Sequence, residues 1–239
     1  MSGKGIRLTG TALAVLGLLG ILVVYWLSFF WVSTDVSQCP SRAPCLLGIA
    51  QRIFYVHVPA AWTSFLAFGI AAFASGMYLW LRDERLDRAA VAAAEGGMIF
   101  ATIMLTTGPL WGKIYWGTYW TWEPRLTFTL LLWFIFLGYF MVRNSTEDPQ
   151  KGKRFAAVVA IIGSLDIPFI HVSVVWLRGL HPEPVVLKPE RPTLPGDMLT
   201  LLLTSLAVFT TLFLGLFLLR YALETLRAGQ QARTREATA

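Results

Sequence analysis

The stretch TALAVLGLLGILVVYWLSFFW, residues 11–31, contains no charged side chain. A helix of about 20 predominantly apolar residues spans the hydrocarbon core of a bilayer. Lys4 and Arg7 precede the stretch, as basic residues precede a signal peptide. The apolar run is too long for a signal sequence, however, and no A-x-A cleavage site follows it. The stretch therefore predicts a transmembrane helix that anchors the chain.

The rest of the chain repeats this pattern. Of its 239 residues, 56% are hydrophobic and 14% are charged, whereas soluble domains carry roughly 25% charged residues. Five further apolar runs are long enough to span a bilayer, at 58–81, 89–110, 126–142, 155–176 and 198–221. We therefore predict an all-α, polytopic membrane protein in which six transmembrane helices form a single domain over 1–239. The polar tail at 227–239 is predicted to be disordered.

The distribution of basic residues predicts the orientation of these helices. Thirteen of the 20 lysines and arginines lie in segments on the N-terminal side of the membrane, and seven lie on the opposite side. Because basic residues accumulate in cytoplasmic segments, both termini are expected in the cytoplasm. Three segments then face outward, at 32–56, 111–125 and 177–195. No basic segment with interleaved aromatic residues indicates nucleic-acid binding.

All three histidines are predicted to lie in or beside the outward-facing segments. His57 begins the second helix, His171 lies near the outer end of the fifth, and His181 follows in the third outer segment. A single interfacial histidine is most often just a hydrogen-bonded side chain. Two neutral imidazoles at one depth, however, can hold a haem iron from opposite sides. His57 and His171 meet this condition, because the second helix enters the membrane from the side at which the fifth leaves it.

The most aromatic part of the chain is WGTYWTWEPRLT, residues 116–127. The belt of rings found at membrane–water interfaces explains isolated tryptophans, but it accounts less well for so dense a cluster. If the segment is helical, its rings form two stripes. The first contains Trp111, Tyr115, Tyr119 and Trp122, and the second contains Trp116 and Trp120. Such a helix is expected to lie along the membrane surface and to offer a stacking platform to a large flat ligand.

Charged residues follow this cluster. Glu123 and Pro124 are typical of the start of a helix, since a carboxylate suits the positive end of the helix dipole and proline suits the first turn. Arg125 comes next, and its guanidinium is suited to pairing with a carboxylate. A flat ligand that has carboxylates, and a metal that binds two histidines, is a haem.

These segments resemble those of a known family. WGTYWTWEPRLT is similar to the tryptophan-rich "WWD" signature of haem-handling membrane proteins. Two other segments resemble the histidine regions of the cytochrome c maturation protein C family (CcmC, haem exporter protein C). The first is YVHVPAAW, residues 55–62, and the second is IPFIHVSVVW, residues 167–176, with LH at 180–181 beyond it. The resemblance covers nearly the whole chain. It departs at Tyr119, where the family usually has a second tryptophan, and at Glu123, where it often has aspartate.

The resemblance implies a function in the biogenesis of c-type cytochromes. CcmC proteins bind haem b at the outer, periplasmic face of the bacterial cytoplasmic (inner) membrane and pass it to the haem chaperone CcmE. They are not enzymes, and they work beside an ABC transporter made of CcmA and CcmB, with the small protein CcmD. This chain has no G-x-x-x-x-G-K-[ST] motif, so it is not expected to supply the ATPase.

The resemblance also implies roles for individual residues. His57 and His171 correspond to axial ligands of the haem iron. The platform consists of Trp116, Tyr119, Trp120 and Trp122, with Glu123 beside them. Arg125 is the candidate partner of a haem propionate, and Arg52 and Arg178 are weaker candidates.

Two cysteines lie outside the family pattern. Cys39 and Cys45 lie within the first outer segment, at the ends of CPSRAPC, residues 39–45. Because the exported side of the membrane is oxidising, a small structural disulfide is favoured. Free thiols, and a redox or metal-binding role, stay open.

Two acidic residues lie inside predicted transmembrane helices, where a charge is costly unless it is paired or functional. Asp166 is interpreted as the acceptor of a structural hydrogen bond from another helix, with a proton or ligand role as the alternative. Glu95 precedes Gly96 and Gly97, and these glycines indicate close helix packing, for which a partner subunit is one hypothesis. A locally satisfied or snorkelling carboxylate is the other.

Two other functions stay open at this point. A membrane protein of the cytochrome b type would hold its haem inside the helix bundle and transfer electrons. A transporter for another substrate would show broken helices and polar groups near the membrane midplane, and few such groups are present. The larger haem synthetase of the same superfamily has additional helices and a further histidine pair, which this sequence lacks.

Overall fold

The computed structural model describes residues 3–33, 48, 50–177, 179–181, 186 and 191–238. Throughout this part of the chain the regular structure is helical and no strand occurs, which confirms the predicted all-α class. The α-helices are α1 (Gly3–Phe30), α2 (Phe54–Leu81), α3 (Glu84–Trp116), α4 (Pro124–Asn144), α5 (Pro149–Ser164), α6 (Asp166–Trp176) and α7 (Gly196–Thr238). A short 3-10 turn, Gln51–Ile53, leads into α2.

Six helical segments are long and apolar enough to cross a bilayer, and they correspond to the six predicted spans. Most of them extend beyond the apolar runs, because polar residues cap their ends. Asp83 accepts a hydrogen bond from the Arg85 amide at 2.9 Å before α3, and Asp148 accepts one from the Gln150 amide at 2.9 Å before α5. Such side chains satisfy amide groups that have no partner within the helix. The chain is therefore a multi-pass membrane protein.

The fifth span is broken, where the sequence predicted one continuous helix over 155–176. α5 ends at Ser164, and the Leu165 amide donates to the Ile162 carbonyl at 3.1 Å in a tighter turn before α6 begins. Pro168 lies in the first turn of α6 and has no amide hydrogen to offer the Ser164 carbonyl. The break is thus encoded by the proline that the apolar run contains.

The tail is a second correction. Residues 227–239 were predicted to be disordered, but α7 continues as far as Thr238. Its last residues include alanine, glutamine, arginine and glutamate, which are good helix formers. An existing helix also extends at low cost, because only its first turn must be nucleated.

The aromatic segment is a third correction. α3 continues to Trp116 and ends at Gly117, whose φ of 74° is the left-handed conformation that glycine adopts readily. Residues 117–123 are not helical. Trp111 and Tyr115 therefore belong to α3, while Tyr119 and Trp122 belong to the loop, and the predicted surface helix with two aromatic stripes is wrong.

The core lies where α2 and α3 meet α4 and α7. The rings of Phe68 and Phe136 stack with centroids 3.8 Å apart, joining α2 to α4. A Cβ on Gly97 would collide with Phe68, and one on Gly96 would lie 2.7 Å from the Phe213 ring of α7. The close packing that these glycines indicated is confirmed between helices of this chain. Glu95 likewise pairs with Arg220 of the same chain.

The bundle has two ends that differ in composition. We call the end formed by the C-terminus of α3 and the N-terminus of α4 the aromatic end, because it carries the loop 117–123. The opposite end, with the N-terminus of α3 and the C-terminus of α4, is the basic end. α2, α6 and α7 each place one terminus at the aromatic end, which brings all three candidate histidine segments to it.

Candidate functional site

His57 lies in the first turn of α2 and is held by α3. Its Nδ1 is 3.1 Å from Thr107 Oγ1, and that hydroxyl donates its own hydrogen to the Ile103 carbonyl at 2.7 Å. The hydroxyl must therefore accept from His57, which assigns the ring hydrogen to Nδ1 and the lone pair to Nε2. A Cβ on Gly108 would lie 2.9 Å from His57 Cε1, so this glycine makes room for the ring. The arrangement presents a neutral imidazole nitrogen that is able to ligate a metal.

His181 is held by Glu123, which the sequence analysis placed among the candidate haem-binding residues. Its Nδ1 contacts Glu123 Oε1, and its ring lies 5.3 Å from the Trp116 ring. Burial by itself would raise the pKa of Glu123, but the hydrogen bond and charge of His181, with the backbone amides of His181 and Leu180, outweigh it and lower the pKa. Glu123 is thus an ionised acceptor that fixes the orientation of the imidazole.

His171 is placed differently. It lies on α6, its side chain is exposed, and no hydrogen-bond partner holds it within the described residues. His57 is within electrostatic range of both His181 and Arg125, whereas His171 is within range of Arg125. The structure therefore brings all three histidines to one end of the bundle, and it fixes two of them.

Arg125 occupies the first turn of α4, close to these histidines. Its side chain is partly buried, and burial without a charged partner is costly for a cation. In the part of the chain that the structure describes, no carboxylate lies within ion-pair distance of its guanidinium, and Glu123 acts on it only at longer range. The site thus contains a positive charge suited to an incoming anion.

The aromatic residues of the loop do not form one flat surface. Trp116 packs on His181, while Trp120 and Trp122 meet edge to face with centroids 5.7 Å apart. The Trp122 side chain is 76% exposed and that of Tyr119 is 58% exposed, with Lys113 Nζ lying 5.3 Å from the Tyr119 ring. Trp116 therefore lines the histidine site, whereas Tyr119 and Trp122 face outward.

Several hydrogen-bonding groups at this end have no partner among the described residues. Trp111 Nε1, Trp120 Nε1 and Thr121 Oγ1 are buried and make no hydrogen bond there. Trp111 also meets the His57 ring edge to face, with centroids 5.8 Å apart. A buried unsatisfied donor costs free energy, so these groups are candidates for contact with a bound anion.

The remaining predicted residues lie elsewhere. Arg52 donates to the Gly48 carbonyl at 2.9 Å and lies over the Phe29 ring of α1, so its guanidinium is engaged within this chain. Arg178, Cys39 and Cys45 lie outside the described residues. Asp166 does not receive the predicted hydrogen bond at Oδ2, which is buried and has no partner among the described residues.

Sequence reasoning did not single out Thr107, Gly108 and Gly179. Thr107 and Gly108 stand in the run TTGP inside an apolar helix, where a glycine that interrupts a helical pattern signals close approach of another group. Gly179 stands two residues before His181, and a Cβ at that position would lie 2.7 Å from Glu123 Oε2. Only the folded chain reveals which side chain each glycine accommodates.

Comparison with known proteins adds to this geometry. The family model for Heme exporter protein C matches residues 5–236 of the chain. The chain belongs to the Heme exporter protein C family. A Heme exporter protein C from Bradyrhizobium diazoefficiens is 38% identical over 181 residues, which cover 75% of this chain and 68% of that protein.

Further relatives agree with this assignment. The Heme exporter protein C of Haemophilus influenzae is 34% identical over 216 residues, or 90% of this chain and 83% of that protein. A putative cytochrome c biosynthesis ccmC-like mitochondrial protein of Marchantia polymorpha is 39% identical over 134 residues, or 56% of each chain. Membership of the Heme exporter protein C family confirms the resemblance that the histidine and tryptophan segments carried.

Proposed function

We propose that this chain binds haem b at the aromatic end of its bundle and passes it on for the assembly of c-type cytochromes. Membership of the Heme exporter protein C family supports a role in haem handling. The observation that carries the proposal is that two fixed imidazoles, His57 and His181, share one end of the bundle with Arg125. Arg125 has no ion-pair partner among the described residues and lies within electrostatic range of His57. Imidazole ligates the iron, and a guanidinium suits a propionate.

The second iron ligand is the point at which geometry and sequence differ. The sequence predicted His171 as the partner of His57. The geometry favours His181, because a carboxylate holds its Nδ1 and leaves Nε2 for the metal, as is usual for metal-binding histidines. His171 is exposed and has no such partner among the described residues. We therefore propose His57 and His181 as the axial pair, with His171 as the alternative that the experiment must exclude.

The C-terminal end of α3 and the loop 117–123 contribute stacking and polar contacts to the same site. Trp116 already packs on His181, so a haem ligated there meets this ring. The buried donors Trp111 Nε1 and Trp120 Nε1 are suited to the propionates or to the haem edge. Tyr119 and Trp122 are exposed, and exposed aromatic side chains are typical of contact sites for partner proteins.

Orientation and partners complete the proposal. The excess of basic residues at the basic end supports a cytoplasmic position for both termini, which puts the aromatic end on the periplasmic side of the inner membrane. Haem then passes to the chaperone CcmE. The ABC transporter subunits CcmA and CcmB, together with CcmD, are the proposed partners within the membrane.

The test is the optical spectrum of the protein purified with haem, for three variants. We expect His57→Ala and His181→Ala each to abolish or alter the spectrum of the bound haem, and His171→Ala to leave it unchanged. Loss of the spectrum in His171→Ala, but not in His181→Ala, would restore the pair predicted from sequence. An unchanged spectrum in all three variants would refute ligation at the aromatic end.

Haem transfer distinguishes this function from electron transfer. An electron carrier of the cytochrome b type retains its haem, whereas a delivery protein releases it to the chaperone. We expect the haem of the purified protein to move to added apo-CcmE, followed by the change in the absorbance of each protein. Retention of all haem in the presence of excess CcmE would favour the electron carrier.

A further inference from the structure

Glu123 connects two segments of the aromatic end that are far apart in sequence. Its Oε2 accepts hydrogen bonds from the amides of Leu180, at 2.5 Å, and His181, at 3.1 Å. Its Oε1 contacts His181 Nδ1. The side chain is only 5% exposed. Both carboxylate oxygens are therefore committed to residues of this chain rather than to a bound ligand.

The neighbouring backbone is shaped to admit this carboxylate. A Cβ on Gly179 would lie 2.7 Å from Glu123 Oε2, closer than such atoms approach one another, so the carboxylate or the backbone would have to shift. The position of Glu123 is fixed in turn by the start of α4, where its carbonyl accepts from the Thr127 amide at 3.0 Å. A rigid helix terminus thus determines where the segment 179–181 lies.

We infer that Glu123 is a positioning residue that sets the strength with which His181 donates to the haem iron. This inference rests on the proposed function, since it requires that His181 ligates the iron. A carboxylate that accepts the Nδ1 hydrogen of a histidine fixes the ring tautomer and raises the basicity of Nε2. A more basic nitrogen stabilises ferric over ferrous iron, which lowers the reduction potential of the haem.

The two proposed ligands then differ in strength. His57 bonds to the hydroxyl of Thr107, whereas His181 bonds to the carboxylate of Glu123. Hydrogen bonds to an ionised acceptor are roughly twice as strong as neutral ones. His181 is therefore the stronger donor, and changes beside it should alter the haem more than matched changes beside His57.

The experiment compares variants of the full-length protein loaded with haem. Glu123→Gln keeps the shape of the side chain and removes its charge. We expect its haem to have a higher reduction potential and to bind about 10- to 100-fold more weakly. Glu123→Asp retains a carboxylate, so its reduction potential and its haem affinity should lie between those of Glu123→Gln and those of the unmodified protein. Thr107→Val, the matched change beside His57, should raise the potential less, and Glu147→Gln, at an exposed position of the basic end, should change neither quantity.

Two further variants keep the inference open to refutation. Gly179→Ala displaces the carboxylate from the other side and should reproduce the rise in potential, so it decides the question if Glu123→Gln fails to fold. In a His181→Ala background, Glu123→Gln should add nothing, because it acts through the ligand that is already absent.

The opposite results have distinct meanings. An unchanged potential in Glu123→Gln and Gly179→Ala, with haem bound, contradicts the role of Glu123. Additive effects of Glu123→Gln and His181→Ala on haem affinity contradict it as well, because they require a contact of Glu123 with haem that is independent of His181. Absence of haem from the unmodified protein contradicts the proposed function itself.

Discussion

The two ends of the helix bundle satisfy their charged groups in different ways. At the basic end, Arg143 donates from both guanidinium nitrogens to Asp87, at 2.7 Å each, and the Asp87 side chain is only 4% exposed. Lys153 pairs with Glu84, and Arg220 pairs with Glu95. These ion pairs connect α3 to α4, α5 and α7, so the charged groups that form them are satisfied inside the chain.

At the aromatic end the same kinds of group are left unpaired. Arg125 has no carboxylate within ion-pair distance among the described residues, and the indole hydrogens of Trp111 and Trp120 are buried without an acceptor there. Leaving a buried charge or donor unpaired lowers stability. The difference teaches that the basic end maintains the bundle, while the aromatic end is organised for a ligand that supplies the missing acceptors.

The largest effect on haem is expected from the aromatic loop. Each ring that covers haem removes apolar surface from water, which is worth on the order of 1–3 kcal/mol of affinity. Single changes to Ala at Trp116 or Trp120 should weaken haem binding only in part, because the remaining ring still covers some of the haem surface. The triple change, which also removes Trp122, should eliminate haem binding. Haem content per protein is the measurement, and Trp80→Ala, an exposed tryptophan at the basic end, is the control. Full haem content in the triple variant would show that the loop is an interfacial belt or a docking surface only.

The second effect is expected at the basic end, where a substitution should lower the stability of the protein rather than its affinity for haem. Asp87→Ala leaves Arg143 buried without its partner, which is expected to cost about 3–5 kcal/mol. The free energy of unfolding in detergent measures this cost. Molecules that remain folded should still bind haem with an unchanged spectrum, since the basic end lies across the bundle. A loss of less than about 1 kcal/mol would mean that solvent or lipid groups replace Asp87.

Arg125→Ala should have the opposite effect to Asp87→Ala: it should impair haem delivery and leave the stability of the protein unchanged. Removing an unpaired, partly buried cation should not lower the free energy of unfolding, whereas loss of the propionate contact should reduce the yield of CcmE–haem by about tenfold, or ~1.4 kcal/mol. Total haem content should fall less, because the iron ligands and the rings remain. Arg125→Lys keeps the charge but lacks the planar guanidinium, so its yield of CcmE–haem should lie between those of Arg125→Ala and the unmodified protein. Marked destabilisation of the haem-free Arg125→Ala protein would identify Arg125 as a structural residue.

The smallest effect is expected at Gly108. Gly108→Ala places a Cβ 2.9 Å from His57 Cε1, so the imidazole must move by a few tenths of an ångström. We expect a shifted haem spectrum and an affinity that is lower by only a few-fold. Gly69→Ala, in α2 with no atom within 4 Å of the added Cβ, is the matched change, and it should leave the spectrum as it is. Identical spectra for the two variants would argue against His57 as a ligand.

Much of this organisation was predictable from sequence because it depends on local pattern. The six spans follow from runs of apolar residues whose length matches a bilayer. The start of α4 at Pro124 follows from the rule that proline suits a first helical turn. The break at Leu165 was also encoded locally, by Pro168, although the apolar run concealed it.

The partners of the site residues were not predictable in this way. The sequence marked Glu123 as a residue at a helix start, but its carboxylate is bonded to His181, 58 positions away. It marked His171 by depth and by family resemblance, and neither reveals which imidazole a second side chain will hold. Gly108 and Gly179 could be recognised as glycines, but not as the positions that accommodate His57 and Glu123.

The sequence by itself determined the number of membrane spans, the family, and the set of residues from which a haem site can be built. Those properties depend on hydrophobic length and on short motifs, which are local in the chain. Only the tertiary structure decided that Glu123 holds His181 and that Thr107 holds His57. It also decided that Arg143 is paired, while Arg125 has no ion-pair partner among the described residues. The physical reason is that a hydrogen bond requires two groups within about 3 Å of each other, and helix packing alone sets that separation for residues far apart in sequence.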